Sequence, residues 1–436
     1  MTEKIFDLHI HSKYSRACSK DLELPNIARA CEKRGIDVVV TGDFTHPKWF
    51  HHINENLVED KEGVYRLKDK NSKVQTNNKF QIPTTQFLIG TEVASIRKHK
   101  DKTRRVHLNI FAPNIEVAEK FNKKLDAMGF NLASDGRPIL GRTCKEILEI
   151  MLEVDERMVM IPAHAWTPWF GILGSKGGYD SLEDAFEDLA PHISAIETGL
   201  SSDPLMNWQV SFLDNITLVS NSDAHSTAKL GREANVLQFV SEESVTYDEI
   251  MRIIRDGDRD KFLYTIEFYP EEGKYHFDGH RACGVSLHPT ETKKYGGMCP
   301  SCKKPMVIGV MNRVDELGDR TEEEAKLLTD RVPYKSMVPL PEIISDVVQV
   351  GVKSKRVQGE YENLLEKIGS EFHILLHASL DEIEKASTKE IADAVDRVRK
   401  GNIRVVPGYD GEFGIVKVFS DAEKSVGSKQ GVMDLD

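Results

Sequence analysis

The sequence predicts an α/β protein whose first and largest part is a parallel β/α barrel, followed by a small metal-held unit and a helix-rich unit. Three observations carry that prediction. Short apolar, β-branched runs alternate with helical patterns through the first 265 residues. Polar residues able to hold a metal recur directly after those runs. A late cluster of cysteines then precedes a stretch of helical periodicity.

The first run, 4–8, reads as a buried strand and leads into Asp7-Leu8-His9-Ile10-His11. Two histidines one residue apart on extended chain point the same way, so both imidazoles can reach one ion. Residues 24–34 read as a helix, with Pro25 near its start and Gly35 as its stop. The run 36–41 is a second buried strand ending in Gly42-Asp43. Residues 51–80 are polar and read as an irregular insertion. A strand over 87–89 ends at Gly90-Thr91-Glu92, and the segment 97–105 carries six Lys or Arg in nine residues. The strand 106–111 carries His107. Thr143-Cys-Lys-Glu146 is a capping box opening a helix, and residues 181–184 form another. A strand over 158–161 ends at Ala163-His164. Strands over 193–197 and 216–219 follow, the second running into Ser222-Asp223-Ala224-His225.

His9, His11, Asp43, Glu92, His164, Asp223 and His225 therefore each follow an apolar strand candidate. In a parallel barrel the carboxyl ends of the strands share one face, so these residues are expected to converge on one site. His107 is a further candidate. Imidazole plus carboxylate without thiolate suits Zn²⁺, Mn²⁺ or Fe²⁺. The set exceeds what one ion needs, and two or three divalent metals (Zn²⁺, Mn²⁺ or Mg²⁺) are expected, with Glu92 as a bridge. Metals about 4 Å apart can clamp the attacking and leaving oxygens of a phosphoryl displacement and bring a bound water toward a pKa of roughly 7. Catalysis is expected to rest on Asp43, Glu92, Asp223 and His225.

The His-x-His pair, Asp43, Thr91-Glu92, Ala163-His164 and Ser222-Asp223-Ala224-His225 resemble the PHP (polymerase and histidinol phosphatase) superfamily across about residues 1–265. That resemblance implies a distorted (β/α)₇ barrel holding two or three metals. The chain departs from the pattern twice. Asp43 stands where a histidine ligand is usual, and Ser15-Arg16-Ala17-Cys18 lacks the histidine that trinuclear members carry.

Residues 266–330 read as a zinc-binding domain. His280-Arg-Ala-Cys283 and Cys299-Pro-Ser-Cys302 form two knuckles that fill a closed tetrahedral site for one structural Zn²⁺. The fourth ligand has alternatives in His276 and His288; His280 is favoured because its spacing mirrors the other knuckle. Residues 331–420 read as helix-rich, with basic residues at Lys353-Ser-Lys355-Arg356. Residues 421–436 form a polar, flexible tail in which 430–435 faintly resembles a sliding-clamp-binding peptide.

Gly279-His-Arg-Ala-Cys-Gly284, Asn312-Arg-Val-Asp-Glu-Leu-Gly-Asp-Arg320 and Pro407-Gly-Tyr-Asp-Gly411, in that order behind the barrel, resemble the endonuclease Q family over nearly the whole chain. The resemblance implies nicking of DNA on the 5′ side of deaminated bases (uracil, hypoxanthine, xanthine) and abasic sites. Arg16, Lys98, Arg104, Arg105, Lys353, Lys355 and Arg356 are candidate phosphate contacts, and Trp166 in the loop 166–178 is a candidate pocket wall. The net charge of −12 argues mildly against a protein that coats nucleic acid, but a local channel can still be basic. No run approaches 18 apolar residues and the N-terminus has no secretory hydrophobic region, so a cytoplasmic location is expected. A small-molecule phosphatase of the histidinol-phosphate kind would need neither the zinc unit nor the helical module. A non-catalytic nucleic-acid-binding protein would not need the intact ligand set.

Overall fold

A computed structural model describes residues 1–68, 83–100 and 102–419. The chain forms two compact units, one of residues 1–32, 36–267 and 308–335, the other of 33–35, 268–307 and 336–436. The segment 430–435, with its clamp-peptide likeness, lies outside the described residues. No helix among the described residues is long and apolar enough to cross a membrane.

The first unit is a mixed α/β fold around a central sheet. Its strands are β1 (Thr2–Asp7), β2 (Val38–Val40), β3 (Leu57–Lys61), β4 (Val64–Leu67), β5 (Gln86–His99), β6 (Lys102–Ala112), β7 (Ile139–Leu140), β8 (Val159–Pro162), β11 (Ala234–Phe239) and β12 (Phe262–Glu267), with a separate pair β9 (Ala195–Glu197) and β10 (Thr217–Val219). One path through the sheet runs β12-β11-β1-β2-β5-β4-β3, and β6 joins β5 to β8. Val38, Val39 and Val40 are all buried, as befits a strand covered on both faces. The helices α1 (Leu24–Arg34), α2 (Pro47–Asn56), α3 (Ile115–Ala127), α4 (Cys144–Leu152) and α5 (Tyr247–Asp256) lie between strands. α4 opens on the expected capping box, Thr143 with Glu146. α5 buries Ile250, Met251, Ile253 and Ile254 and stops at left-handed Gly257.

Among the described residues the expectation of a parallel sheet holds for β1–β2, β2–β5, β5–β7 and β9–β10. β1–β11, β5–β6 and β6–β8 are antiparallel. The reason lies at the basic run. β5 does not stop at Glu92 but continues to His99, and a turn at Lys100 (φ 56°) sends the chain straight back as β6. Strands joined by so short a link must be antiparallel, because a parallel partner needs a crossover of a dozen or more residues. Glu92 and His107 are thus interior residues of one long hairpin. The expected irregular insertion is also partly regular, since α2, β3 and β4 occupy residues 47–67.

Residues 308–335, which the sequence reading divides between the zinc-binding and helical units, pack in the first unit. Buried Arg313 donates through Nε to Leu173 O (3.1 Å) and through Nη2 to Tyr179 O (3.0 Å). Arg320 and Arg331 both hold Asp214. In the second unit, Asp278–His280 pairs antiparallel with Val285–Leu287. Helices Leu340–Val348, Lys355–Lys367, Glu371–Leu376, Leu380–Ala386 and Lys389–Arg399 follow, the last four capped by Ser354, Ser370, Ser379 and Thr388. Ile343, Leu364, Ile374, Ile391 and Val395 form their core. An antiparallel hairpin, Arg404–Val406 with Ile415–Lys417, closes the described chain.

Candidate metal centre

Beyond β1 the chain runs beside the chain beyond β10. Ile10 bridges Ala224, His11 N donates to Ala224 O (3.1 Å), and Leu8 N donates to Asn221 Oδ1 (2.9 Å). That pairing places His9 and His11 against Asp223 and His225. Asp43, His164 and Asp223 all have left-handed backbone (φ 48°, 31° and 45°), which turns the chain sharply where each strand ends. Glu92 and His107 enter from the β5–β6 hairpin.

The side chains form three overlapping triads whose ligand atoms lie within 4.8 Å of one another: His9, His11 and Glu92; His11, Asp223 and His225; Glu92, His107 and His164. Glu92 Oε1 is 2.8 Å from His107 Nδ1, 3.3 Å from His164 Nε2 and 3.7 Å from His9 Nε2. Its Oε2 is 3.5 Å from His11 Nε2 and accepts from Arg137 Nη1 at 3.0 Å. Asp223 Oδ1 is 3.0 Å from His11 Nε2 and 3.6 Å from His9 Nε2. His225 Nδ1 donates to Asp223 O (2.8 Å), which fixes its ring.

Seven of the eight expected ligands therefore meet. The eighth, Asp43, lies behind the cluster. Its Oδ1 accepts from His11 Nδ1 (3.1 Å), and its Oδ2 accepts from Ser12 N, Ser12 Oγ and Ser15 Oγ (2.7–2.8 Å). Glu197 stands to His9 as Asp43 does to His11. It accepts from His9 Nδ1 (3.0 Å), His164 N (2.7 Å) and Asn221 Nδ2 (3.0 Å), and it is fully buried. Sequence reasoning names the strand 193–197 but misses this role. Its one available signal is an acid closing a buried strand, as at the other strand ends. Arg137, also missed, sits in a loop without a periodic pattern. Buried Asp7 accepts from Ser222 N (3.1 Å) and Gly231 N (2.9 Å), and so ties β1 to the loop that carries Asp223.

These contacts fix protons as well as rings. With Nδ1–H of His9 and His11 given to carboxylates, each neutral ring turns the lone pair of Nε2 toward Glu92 and Asp223. Lone pairs and carboxylates facing one another in a buried space demand positive charge between them. His9 Nε2 is buried and has no hydrogen-bond partner among the described residues. The same demand is visible in proton affinity. Burial disfavours charged His9, yet Glu197 and Asp223 outweigh it and raise its pKa to about 9. At His11 burial is likewise outweighed, by its bonds to Asp223 and Asp43, and the pKa rises to about 10. His107 goes the other way, lowered to about 4 chiefly by burial. Burial pushes Asp7 up to about 6 against its N–H bonds. The donor set and its electrostatics fit divalent cations.

The candidate DNA contacts are scattered. Arg16 and Lys98 are exposed, and Arg104 lies over the Tyr179 ring at 4.5 Å and donates to Gly178 O. Arg105 lies 5.9 Å from the Trp169 ring. Trp166 is not a pocket wall. It is fully buried, with Nε1 donating to Asn207 Oδ1 (2.7 Å), because Gly171, Gly174 and Gly178 wind the loop so tightly that the ring turns into the core. The exposed ring of that loop is Trp169. In the second unit Lys353, Lys355 and Arg356 are exposed at a helix start. There too His280, Cys283, Cys299 and Cys302 bring four ligand atoms within 4.8 Å, with His280 Nδ1 3.7 Å from Cys302 Sγ. The alternatives fall outside that group: His276 is buried and stacked on Phe277, and His288 caps Pro289–Lys294.

Residues 339–402 match the family model of the MJ0043 C-terminal domain. The chain is 32% identical over 255 residues to the uncharacterized protein MJ0043 of Methanocaldococcus jannaschii, a match covering 58% of this chain and 31% of that protein. It is 28% identical over 426 residues to the uncharacterized protein YqxK of Bacillus subtilis, covering 95% of this chain and all of the relative. Among solved structures it resembles the lesion-specific endonuclease PfuEndoQ of Pyrococcus furiosus (TM-score 0.82, 29% identity, all of both chains). It also resembles Endonuclease Q in complex with a 27-mer duplex bearing an abasic lesion at the active site (TM-score 0.79, 30% identity, 96% of this chain and 98% of that one).

Proposed function

The chain belongs to the endonuclease Q family, and from that premise we propose that it is a divalent-metal-dependent DNA repair endonuclease. It hydrolyses the phosphodiester on the 5′ side of deaminated bases (uracil, hypoxanthine, xanthine) and of abasic sites. The observation that carries this reading is the cluster of five histidines and two carboxylates in three overlapping triads, buried at His9, His11, Glu92 and His107 and half-buried at His164, Asp223 and His225. We read its frame as a distorted (β/α)₇ barrel of the PHP type, followed along the chain by the zinc and helical modules.

His9, His11, Glu92, His107, His164, Asp223 and His225 would hold two or three ions. Bound there, divalent metals would neutralise the scissile phosphate and supply a water of lowered pKa. The protein's own part is positional. Asp43 and Glu197 carry no metal in this reading; each takes the Nδ1 proton of one histidine of the His-x-His pair, so that both Nε2 atoms face inward. Arg137 spends Nη1 on Glu92 and has the rest of its planar fork to offer a phosphate oxygen. The damaged base has to leave the helical stack to be read, and a mispaired or missing base lowers that cost. His280, Cys283, Cys299 and Cys302 would hold one structural Zn²⁺, a closed site with no position for substrate.

The test uses end-labelled duplexes carrying one uracil, hypoxanthine or abasic site, with Mg²⁺ or Mn²⁺. A single nick 5′ to the lesion, absent from undamaged duplex, is expected. Intact duplexes together with hydrolysis of p-nitrophenyl phosphate would overturn the reading in favour of a small-molecule phosphatase.

A further inference from the structure

We propose that one face of the β5–β6 hairpin is the track along which the DNA backbone runs away from the metal centre, with Arg105 holding the phosphate next to the scissile one and Lys98 with Thr103 holding the phosphate after that. This rests on the endonuclease reading and deepens it, because it fixes the direction in which the substrate leaves the site.

The track follows from register. Side chains of a strand alternate between two faces, and residues directly opposite in an antiparallel pair share one. Glu92 stands opposite Asn109, Ala94 opposite His107, Ile96 opposite Arg105 and Lys98 opposite Thr103. The face that carries Glu92 and His107 into the metal centre therefore runs outward through Arg105 to Lys98 and Thr103. At about 3.4 Å per residue, Arg105 lies roughly 7 Å along the strand from His107, and Thr103 roughly 7 Å further. The loop beside β6 borders both steps. Phe170 stacks on His107 with 4.3 Å between ring centres, and Trp169, 52% exposed, lies beside the Arg105 guanidinium.

Charge separates this face from the other. The opposite face carries Arg97, His99, Lys102 and Arg104, and the protein itself occupies part of it. Arg104 lies over the Tyr179 ring, His99 Nδ1 is 3.0 Å from the Tyr179 hydroxyl, and His99 Nε2 is 3.4 Å from Glu187. At the turn, Lys100 pairs with Asp184 (2.7 Å). On the track face the one acid among the described residues of the hairpin is Glu92, at the inner end. Lys98 and Arg105 make no ion pair among the described residues. The segments that flank the hairpin, 136–142 beside β5 and 163–179 beside β6, contain no Asp or Glu. Arg137 at Glu92, then Arg105, then Lys98 form successive cationic steps outward. Cations that no acid neutralises, aligned with a metal centre that cuts a phosphodiester, suit the phosphates flanking that bond.

The test uses the full chain and an end-labelled duplex with one abasic site. Wild-type nicking is measured first, because its absence would sink the endonuclease reading itself. Single phosphates on either side of the lesion are then replaced by neutral methylphosphonates, and binding is followed by anisotropy with Ca²⁺ in place of the catalytic metal. Replacement at two consecutive phosphates on one side of the scissile bond should weaken wild-type binding. The nearer replacement should have no further effect in Arg105→Ala, and the farther none in Lys98→Ala. Each variant should lower the slope of log K against log salt by about one, while Arg105→Lys keeps it. Arg97→Ala removes an equal charge from the opposite face and should keep the wild-type slope and nicking. A loss in Arg97→Ala equal to that in Arg105→Ala would overturn the proposal, since the hairpin would then act only as a diffuse positive field. So would wild-type slopes in both Lys98→Ala and Arg105→Ala, which would leave this face to an acidic protein partner.

Discussion

Glu197→Gln is the sharpest probe of how the cluster is held. Two buried carboxylate oxygens receive N–H groups from His9, His164 and Asn221, with Asn109 Nδ2 also 3.5 Å away. Glutamine has nearly the same shape but replaces one acceptor oxygen with a donor NH₂. That group must then face at least one of these donors. One unmade buried bond costs about 1–3 kcal/mol, and the remaining bonds lose their charge assistance. A loss of about 2–4 kcal/mol in stability follows. The functional loss follows from His9, whose ring is free to turn once Nδ1–H has no fixed acceptor. Removing the partner of a metal-ligating histidine typically costs 10–100-fold in metal affinity or activity. Titration calorimetry with Mn²⁺ measures the affinity, and nicking at limiting and excess Mn²⁺ shows how much activity returns. Partial recovery at excess metal marks a positioning role. Wild-type Mn²⁺ affinity and an unchanged melting temperature in Glu197→Gln would refute the reasoning.

Asp223→Ala should abolish nicking while duplex binding stays close to wild type, because Asp223 faces His9 and His11 and not the protein surface alone; cutting at the normal rate would exclude it from the centre. Cys299→Ser should release zinc, read by atomic absorption, and lower the melting temperature of the second unit. Burial raises the Glu267 carboxyl from its ordinary 4.5 to about 8, against hydrogen bonds from Thr265 and Thr198. A raised folded pKa means that the stability it contributes is fully present below about pH 4.5 and is lost as pH rises through 8. The loss is up to about 5 kcal/mol. Glu267→Gln should therefore melt higher than wild type at pH 9 with the gap closing toward pH 5, and equal melting at both would count against it. Trp166→Ala should cost about 3–5 kcal/mol in denaturant unfolding, whereas Trp169→Ala should leave stability nearly unchanged and weaken DNA binding.

The cluster of candidate ligands was legible because metal chemistry restricts residue types and the fold restricts where they occur. His9, His11, Glu92, His164, Asp223 and His225 stand next to apolar runs, and both restrictions act on them together. What sequence could not convey is direction. Asp43, just beyond β2, and Glu92, within the neighbouring β5, are equally buried carboxylates, yet one looks behind His11 and the other into the cluster. The difference is set by local backbone: Asp43 sits in a left-handed turn that aims it at Ser12 and Ser15, whereas Glu92 is held in a ladder opposite Asn109. The parallel reading failed at the β5–β6 hairpin for a related reason. Apolar runs report burial, and burial is the same for either strand direction; only the short link at Lys100 distinguishes them, and its basic residues read as a charge run and not as a turn. Trp166 shows the converse case, where three glycines that look like a flexible loop instead wind the chain too tightly to leave the ring outside. In each case the missing information was an angle fixed by a few backbone contacts. The same holds for the site's function, because a carboxylate that orients a histidine and one that shares its cation differ by the turn of a single side chain. Exchanging the two roles is therefore a stringent check: Asp43→Asn should weaken metal binding by 10–100-fold but leave residual metal-dependent nicking, and Glu92→Gln, at the junction of two triads, should leave none.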